Sequence, residues 1–167
     1  MQNLSSRFYG TAIIIAVLFF DQLTKFLITQ GLTLGQIIPY GNWFNLVLRT
    51  NKGISFSLFS TCNLYTEIAL VSFICVVMVW LIYQFLIAKQ RWEIISFSLI
   101  IGGALGNLID RLARGAVIDF LEFHIKGYYW PAFNVADSCI VIGVILILGM
   151  QTWHSWRQSS SKFKNSP

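Results

Sequence analysis

Four apolar stretches, at about 9–28, 67–87, 92–109 and 135–150, fix the environment in which this chain can fold. Each reaches, or nearly reaches, the about 17–25 residues that carry a helix across a bilayer. Backbone polar groups have no water to bond inside lipid, so such segments satisfy themselves as helices. Only 11% of the residues are charged, against about 25% in a soluble domain. The expected fold is an all-α membrane protein with four transmembrane helices and a small external β-rich region after helix one. The 167 residues form one domain, with no repeat and no low-complexity run.

The seven acidic residues are unevenly placed. Asp21 lies late in the first stretch, Glu67 opens the second, Asp110 closes the third and Asp137 falls in the first turn of the fourth. If successive helices alternate direction, all four come to one membrane face. Asp119 and Glu122 sit in the loop on that face, and Glu93 alone lies on the other. Ionisable groups in or beside a bilayer are costly and point to function.

A pI near 9.3 invites a nucleic-acid reading, but the basic residues are dispersed and form no recognition motif. Their placement fits topology instead. With both termini cytoplasmic, Arg7, Lys89, Arg91, Arg157, Lys162 and Lys164 are inside, and Lys25, Arg49, Lys52, Arg111, Arg114 and Lys126 outside. The count is equal, yet the inside residues occupy shorter segments and face one acid, which favours that orientation. Cys62, Cys75 and Cys139 suggest neither a disulfide nor a metal framework. Asp21 and Lys25 follow the first apolar run where a cleaved leader would have small residues, so that run reads as a retained helix.

The external loops are expected at 31–65 and 112–133. The first alternates apolar and polar residues over Trp43–Leu48, the mark of a strand. Gly102 and Gly106 in helix three are spaced for close helix contact in lipid. Asn134 marks the start of helix four, and the Ser-rich tail from about 154 is expected to be disordered.

Asp119 and Asp137 make the pair best suited to chemistry. Two carboxylates held close cannot both ionise, so one is a base toward water and the other an acid toward a carbonyl. Each also has a plainer reading. Asn134-Val135-Ala136-Asp137 has the form of a helix cap, and Asp119 alone reads as a solvated loop acid. Asp21 and Lys25 share a helix face as an i, i+4 ion pair. Gly103, Asn107, Asp110 and Arg111 form a polar ladder, either interhelical glue or a hold on substrate. Asp119, Glu122 and His124 lack the paired-His spacing of a zinc helix, and no metal or cofactor is expected.

Five segments in chain order resemble prolipoprotein signal peptidase, also called signal peptidase II, a family of aspartic endopeptidases of bacterial membranes. They are Asp21–Lys25, Asn51–Phe56, Gly102–Arg111, Val117–Phe120 and Phe133–Ser138. The resemblance implies that Asp119 and Asp137 are the catalytic dyad. It implies that Asn51, Gly103, Asn107, Arg111 and Asn134 shape the site and hold substrate, with Asp21, Lys25 and Asp110 in support. The implied substrate is a prolipoprotein carrying diacylglycerol on a cysteine, cleaved just before that cysteine. Globomycin-type cyclic peptides are the implied inhibitors. Ser55 stands where members often carry Ala. The implied location is the bacterial inner membrane, with the site at the external face and the chain a monomer.

Lateral diffusion brings a lipidated substrate to its enzyme, so a site at one interface suits this role. The aromatic loop after helix one could cover the peptide and exclude water, as lids do. The competing reading is a small transporter or channel component with a carboxylate relay. A relay spaces its ionisable groups through the membrane, whereas here they gather at one face.

Overall fold

The computed structural model describes residues 4–52 and 64–164, whose elements run α1 (Leu4–Gly31), β1 (Ile37–Tyr40), β2 (Phe44–Asn51), α2 (Leu64–Ile87), α3 (Arg91–Arg114), β3 (Val117–Ile125), β4 (Tyr128–Tyr129) and α4 (Val135–Lys164). Gly53, Ile54, Ser55, Phe56 and Cys62 lie outside the described residues, as does the middle of the loop expected to act as a lid.

All four helices are long and apolar enough to cross a membrane. Helix α3 is central and packs against the other three. At one end, Met78, Leu81 and Phe85 of α2 meet Ile94, Ile100 and Ile101 of α3 in an apolar core. The turn between these helices is held from both sides. Gln90 and Glu93 form a reciprocal capping box that starts α3, satisfying donors that helix starts leave open. The Arg7 guanidinium donates to the carbonyls of Phe85, Leu86 and Ala88 at the end of α2. At the other end the packing is polar, and two glycines make it possible. A Cβ on Gly103 would strike the Ala136 carbonyl of α4, and one on Gly106 would strike the Asp21 carboxylate of α1.

Strands β1, β2, β3 and β4 form an antiparallel sheet in that order. Leu48 and Ile118 pack on Leu32 just past α1, docking the sheet on that helix. The pairing Arg49↔Asp119 and Asn51↔Val117 lays β2 beside the residues that lead into the site. The N–H groups of Phe120 and Leu121 both donate to the Phe133 carbonyl, at 3.0 and 2.8 Å, and Phe133 N–H donates to Leu121 at 2.9 Å. This bridge holds the segment before α4 against β3.

The expected β structure after helix one is present and extends further along the chain, and two helix ends are corrected. The β structure is not confined to the loop after helix one, because β3 and β4 come from the loop between α3 and α4. Their edge groups need partners, and β2 supplies them. Helix α3 runs past Asp110 to Arg114, ending at Gly115 in the left-handed conformation that glycine adopts without cost. Helix α4 continues to Lys164, where a disordered tail was expected from about 154. No Gly or Pro follows Gly149 until Pro167, and extending an existing helix avoids the nucleation cost.

Candidate active site

The polar end of the bundle is built on a buried ion cluster. Asp21 and Lys25 pair on α1 at 2.8 Å, as their spacing predicts, and Lys25 Nζ also lies 2.8 Å from Asp110 of α3. All three side chains are fully buried. Arg114 adds a second cation on Asp110, so two acids meet two bases. That balance is what makes burial of charge tolerable. The acids also collect backbone donors. Asp21 Oδ1 accepts from Ala136 N at 2.9 Å, and Asp110 Oδ2 from Ile118 N at 3.3 Å. Asp21 therefore sits at the positive end of α4, where an anion is favoured. One cluster ties α1, α3, α4 and β3 together.

Asn107 carries the cluster's polarity to Asp137. Its Oδ1 accepts from Lys25 Nζ at 3.1 Å and from Asn134 Nδ2 at 3.1 Å. An ammonium only donates, so the amide oxygen must face Lys25. The amide nitrogen is thereby turned to Asp137, to whose Oδ1 it donates at 2.7 Å.

Both readings of Asp137 hold at once. Its Oδ2 accepts from Asn134 N at 3.2 Å, while its own N–H donates to Asn134 Oδ1 at 2.9 Å. This is the reciprocal cap of a helix start. The other carboxylate oxygen remains turned toward Asn107. The cap residue is shared in turn, because Asn134 Nδ2 donates to Asp119 Oδ1 at 2.8 Å and to Ile118 O at 3.2 Å. Asn134 thus touches both carboxylates.

Asp119 is 3% exposed on β3, not a solvated loop acid. Burial, then the Asp137 charge, push its pKa up from 3.8 to about 6, against the pull of Asn51 and Asn134 hydrogen bonds and of Lys25. Arg111 donates to Asn107 O at 3.2 Å, while its buried Nε has no partner among the described residues. It lies within electrostatic reach of Asp137, Asp119 and Asp110.

The structure thus gathers Asp21, Lys25, Asn51, Gly103, Asn107, Asp110, Arg111, Asp119, Asn134 and Asp137 at one end of the bundle. It does not gather Asp119, Glu122 and His124. Glu122 bonds Asn45 at 3.0 Å and Arg49 at 2.6 Å, and His124 stacks on Tyr129. Among the described residues no ligand group for a metal forms. Two participants were missed from sequence. Arg114 stands four residues after Asp110, a spacing that signals an ion pair. Gln22 donates to Asp21, Gly106 O and Asp110 at 3.2–3.3 Å; it lies within the Asp21–Lys25 segment, but no spacing marks its role.

The family described as Signal peptidase (SPase) II matches residues 13–153. A lipoprotein signal peptidase of Thermodesulfovibrio yellowstonii is 43% identical over 148 residues, 87% of this chain and 96% of that one. One from Azoarcus sp. is 40% identical over 157 residues, 91% and 85% of the two chains. One from Ralstonia nicotianae is 41% identical over 133 residues, 77% and 75%. A solved bacterial membrane enzyme superposes with TM-score 0.74 at 29% identity, covering 95% of this chain and 93% of its own. A second gives 0.76 at 31% identity, with 86% and 92% covered. The relay alternative finds no support among these relatives. The chain belongs to the signal peptidase II family.

Proposed function

We propose that Asp119 and Asp137 are the dyad with which this membrane peptidase hydrolyses the bond before the lipidated cysteine of diacylglyceryl-modified prolipoproteins. The observation that carries the reading is that Asn134 bonds both carboxylates. It brings them into one network at the membrane end where a lipidated peptide would arrive.

The surroundings differentiate the two acids. Asp137 accepts from Asn107 Nδ2 and from the backbone N–H of Asn134 just before α4, two donors that fix the orientation of its carboxylate. Asp119 is buried beside that charge and keeps a proton more readily. Asp137 then serves as base, taking a proton from the attacking water. Asp119 donates its hydrogen bond to the scissile carbonyl and protonates the oxygen as the tetrahedral intermediate forms. Collapse of the intermediate breaks the C–N bond. Asp137 hands its proton to the leaving cysteine amine, and Asp119 recovers its own. Arg111, with an open donor, holds a peptide carbonyl, and Asn51 steadies Asp119. The exposed apolar helix faces accommodate the diacylglycerol chains.

The proposed orientation puts the dyad at the external face of the bacterial inner membrane and both termini in the cytoplasm. The unbalanced cations Lys89, Arg91 and Arg157 support it. The proposed form is a monomer, inhibited by globomycin-type peptides at the dyad. A cleavage assay with lipidated precursor tests the assignment. Asp119→Asn and Asp137→Asn should each abolish processing while the purified protein still binds precursor. Cleavage retained by either variant would overturn it.

A further inference from the structure

At the membrane end opposite the dyad, a cleft of about 340 Å³ opens between α1 and α3, lined by Ser5, Ser6, Tyr9, Arg91, Ile94 and Ile95. Arg91 stands at the first residue of α3, and Asn107 lies about 24 Å along the same helix at 1.5 Å per residue. That is most of the about 30 Å hydrocarbon thickness, so the cleft sits at headgroup depth in the other leaflet.

Its chemistry is that of an anion site with an apolar floor. The Arg91 side chain is exposed and has no carboxylate or carbonyl partner among the described residues. The acid nearest in sequence, Glu93, is already engaged, since its Oε2 accepts from Lys89 N at 2.7 Å and Gln90 N at 2.9 Å. The other nearby guanidinium, Arg7, is spent on the carbonyls that end α2. Lys89 and Arg91 therefore leave local positive charge that no described side chain neutralises. Ser5 and Ser6 place hydroxyl donors on the opposite wall. Ile94, Ile95 and the Tyr9 ring lie where a lipid's glycerol and first methylenes would rest.

We infer that this cleft binds the phosphodiester of an anionic phospholipid from the leaflet opposite the dyad, with Arg91 as the ionic contact and Ser5 and Ser6 as hydrogen-bond donors. Basic pockets between transmembrane helices take such headgroups. The basic start of a signal peptide would be repelled here, which separates this cleft from the substrate path. The site does not depend on the cleavage reaction.

The test uses the full chain in phosphatidylcholine nanodiscs, with phosphatidylglycerol added at increasing mole fraction. Lipid retention is read by native mass spectrometry and stability by thermal unfolding. Phosphatidylglycerol should be retained in preference to phosphatidylcholine and should raise the unfolding temperature. Arg91→Gln should retain it about fivefold more weakly, the share of one basic residue at an anionic surface. Ser6→Ala should weaken it less. Arg91→Gln should fold and cleave normally in phosphatidylcholine alone, since its side chain holds nothing else. Arg157→Gln, at the same membrane end on α4, should change nothing. An equal loss in Arg157→Gln would mean diffuse surface charge and overturn the site. Equal protection by inorganic phosphate would mean a free-anion site and overturn the lipid assignment. No preference for phosphatidylglycerol would overturn both.

Discussion

Asp119→Asn should make the protein inactive and, above about pH 6, more stable. The folded protein holds the Asp119 proton up to about pH 6 because burial and the Asp137 charge disfavour the carboxylate. The unfolded chain releases it near the ordinary 3.8. Between these values the native state binds more protons, so stability falls as pH rises. The contribution is complete below about pH 4 and lost once pH passes 6. That span corresponds to about 3 kcal/mol at 1.36 kcal/mol per pH unit. Asn is neutral and nearly the same size. Its amide oxygen can accept from Asn134 as Asp119 does, so it removes the cost of ionisation without opening a cavity. About 3 kcal/mol is the upper limit of the gain, and at about 2–4 °C per kcal/mol for a chain of this size it raises Tm by about 6–12 °C at most. Thermal unfolding of wild type and Asp119→Asn in the same detergent, from pH 4 to pH 8, reads it directly. The two melting curves should coincide at pH 4 and separate as pH rises. A variant less stable than wild type at pH 8, or a gap that widens toward pH 4, would refute the reasoning.

Five other outcomes follow from the same geometry. The double variant Asp119→Asn/Asp137→Asn should cleave lipidated precursor hardly less than either single variant, because residues acting as a unit are not additive. Lys25→Met should cost about 3–5 kcal/mol of stability, the penalty for leaving buried charges unpaired, visible as a lower Tm and less folded protein; Asp21→Asn should also reduce the folded fraction, at least as much as it reduces turnover. Gly103→Ala should force α3 and α4 apart at Ala136 and cost at least the about 1–3 kcal/mol typical of overpacking, with cleavage falling alongside Tm. Chelators should leave cleavage unchanged; activity lost to a chelator and restored by zinc would revive the ligand set of Asp119, Glu122 and His124.

The spans were legible because apolarity over some twenty residues is a property of the chain alone. The same holds for local contacts. The Asp21–Lys25 pair and the Asn134–Asp137 cap are set by helical spacing of three and four residues, which sequence displays directly. Strand β3 was hidden for a physical reason. Val117, Ile118, Asp119 and Phe120 are all buried, so the strand lacks the alternation that marks one wet face. The end of α3 was hidden because Arg114, beyond the apolar run, looks like a loop charge, whereas its pairing with Asp110 and the Gly115 cap keep it helical.

The joining of Asp119 and Asp137 through Asn134 depends on contacts that no local pattern carries. Strand β2 must find β3 across the whole of α2 and α3, and Phe133 must bridge to Phe120 and Leu121 before Asn134 can reach Asp119. What orients the polar side chains at these contacts is electrostatic. Lys25 dictates which way Asn107 points, Asn107 and Asn134 dictate the donors that Asp137 receives, and Asp21 and Asp110 dictate where Lys25 can sit. Residues that read as mere structural support therefore also set the polarity around the proposed dyad. A neutral substitution of Lys25 frees the Asn107 amide to turn its oxygen toward Asp137, where it would repel the carboxylate instead of donating to it. The cleavage pH profile of whatever Lys25→Met protein folds should then shift, beyond the loss of folded enzyme. A lower yield of enzyme with an unchanged profile would confine Lys25 to the fold alone.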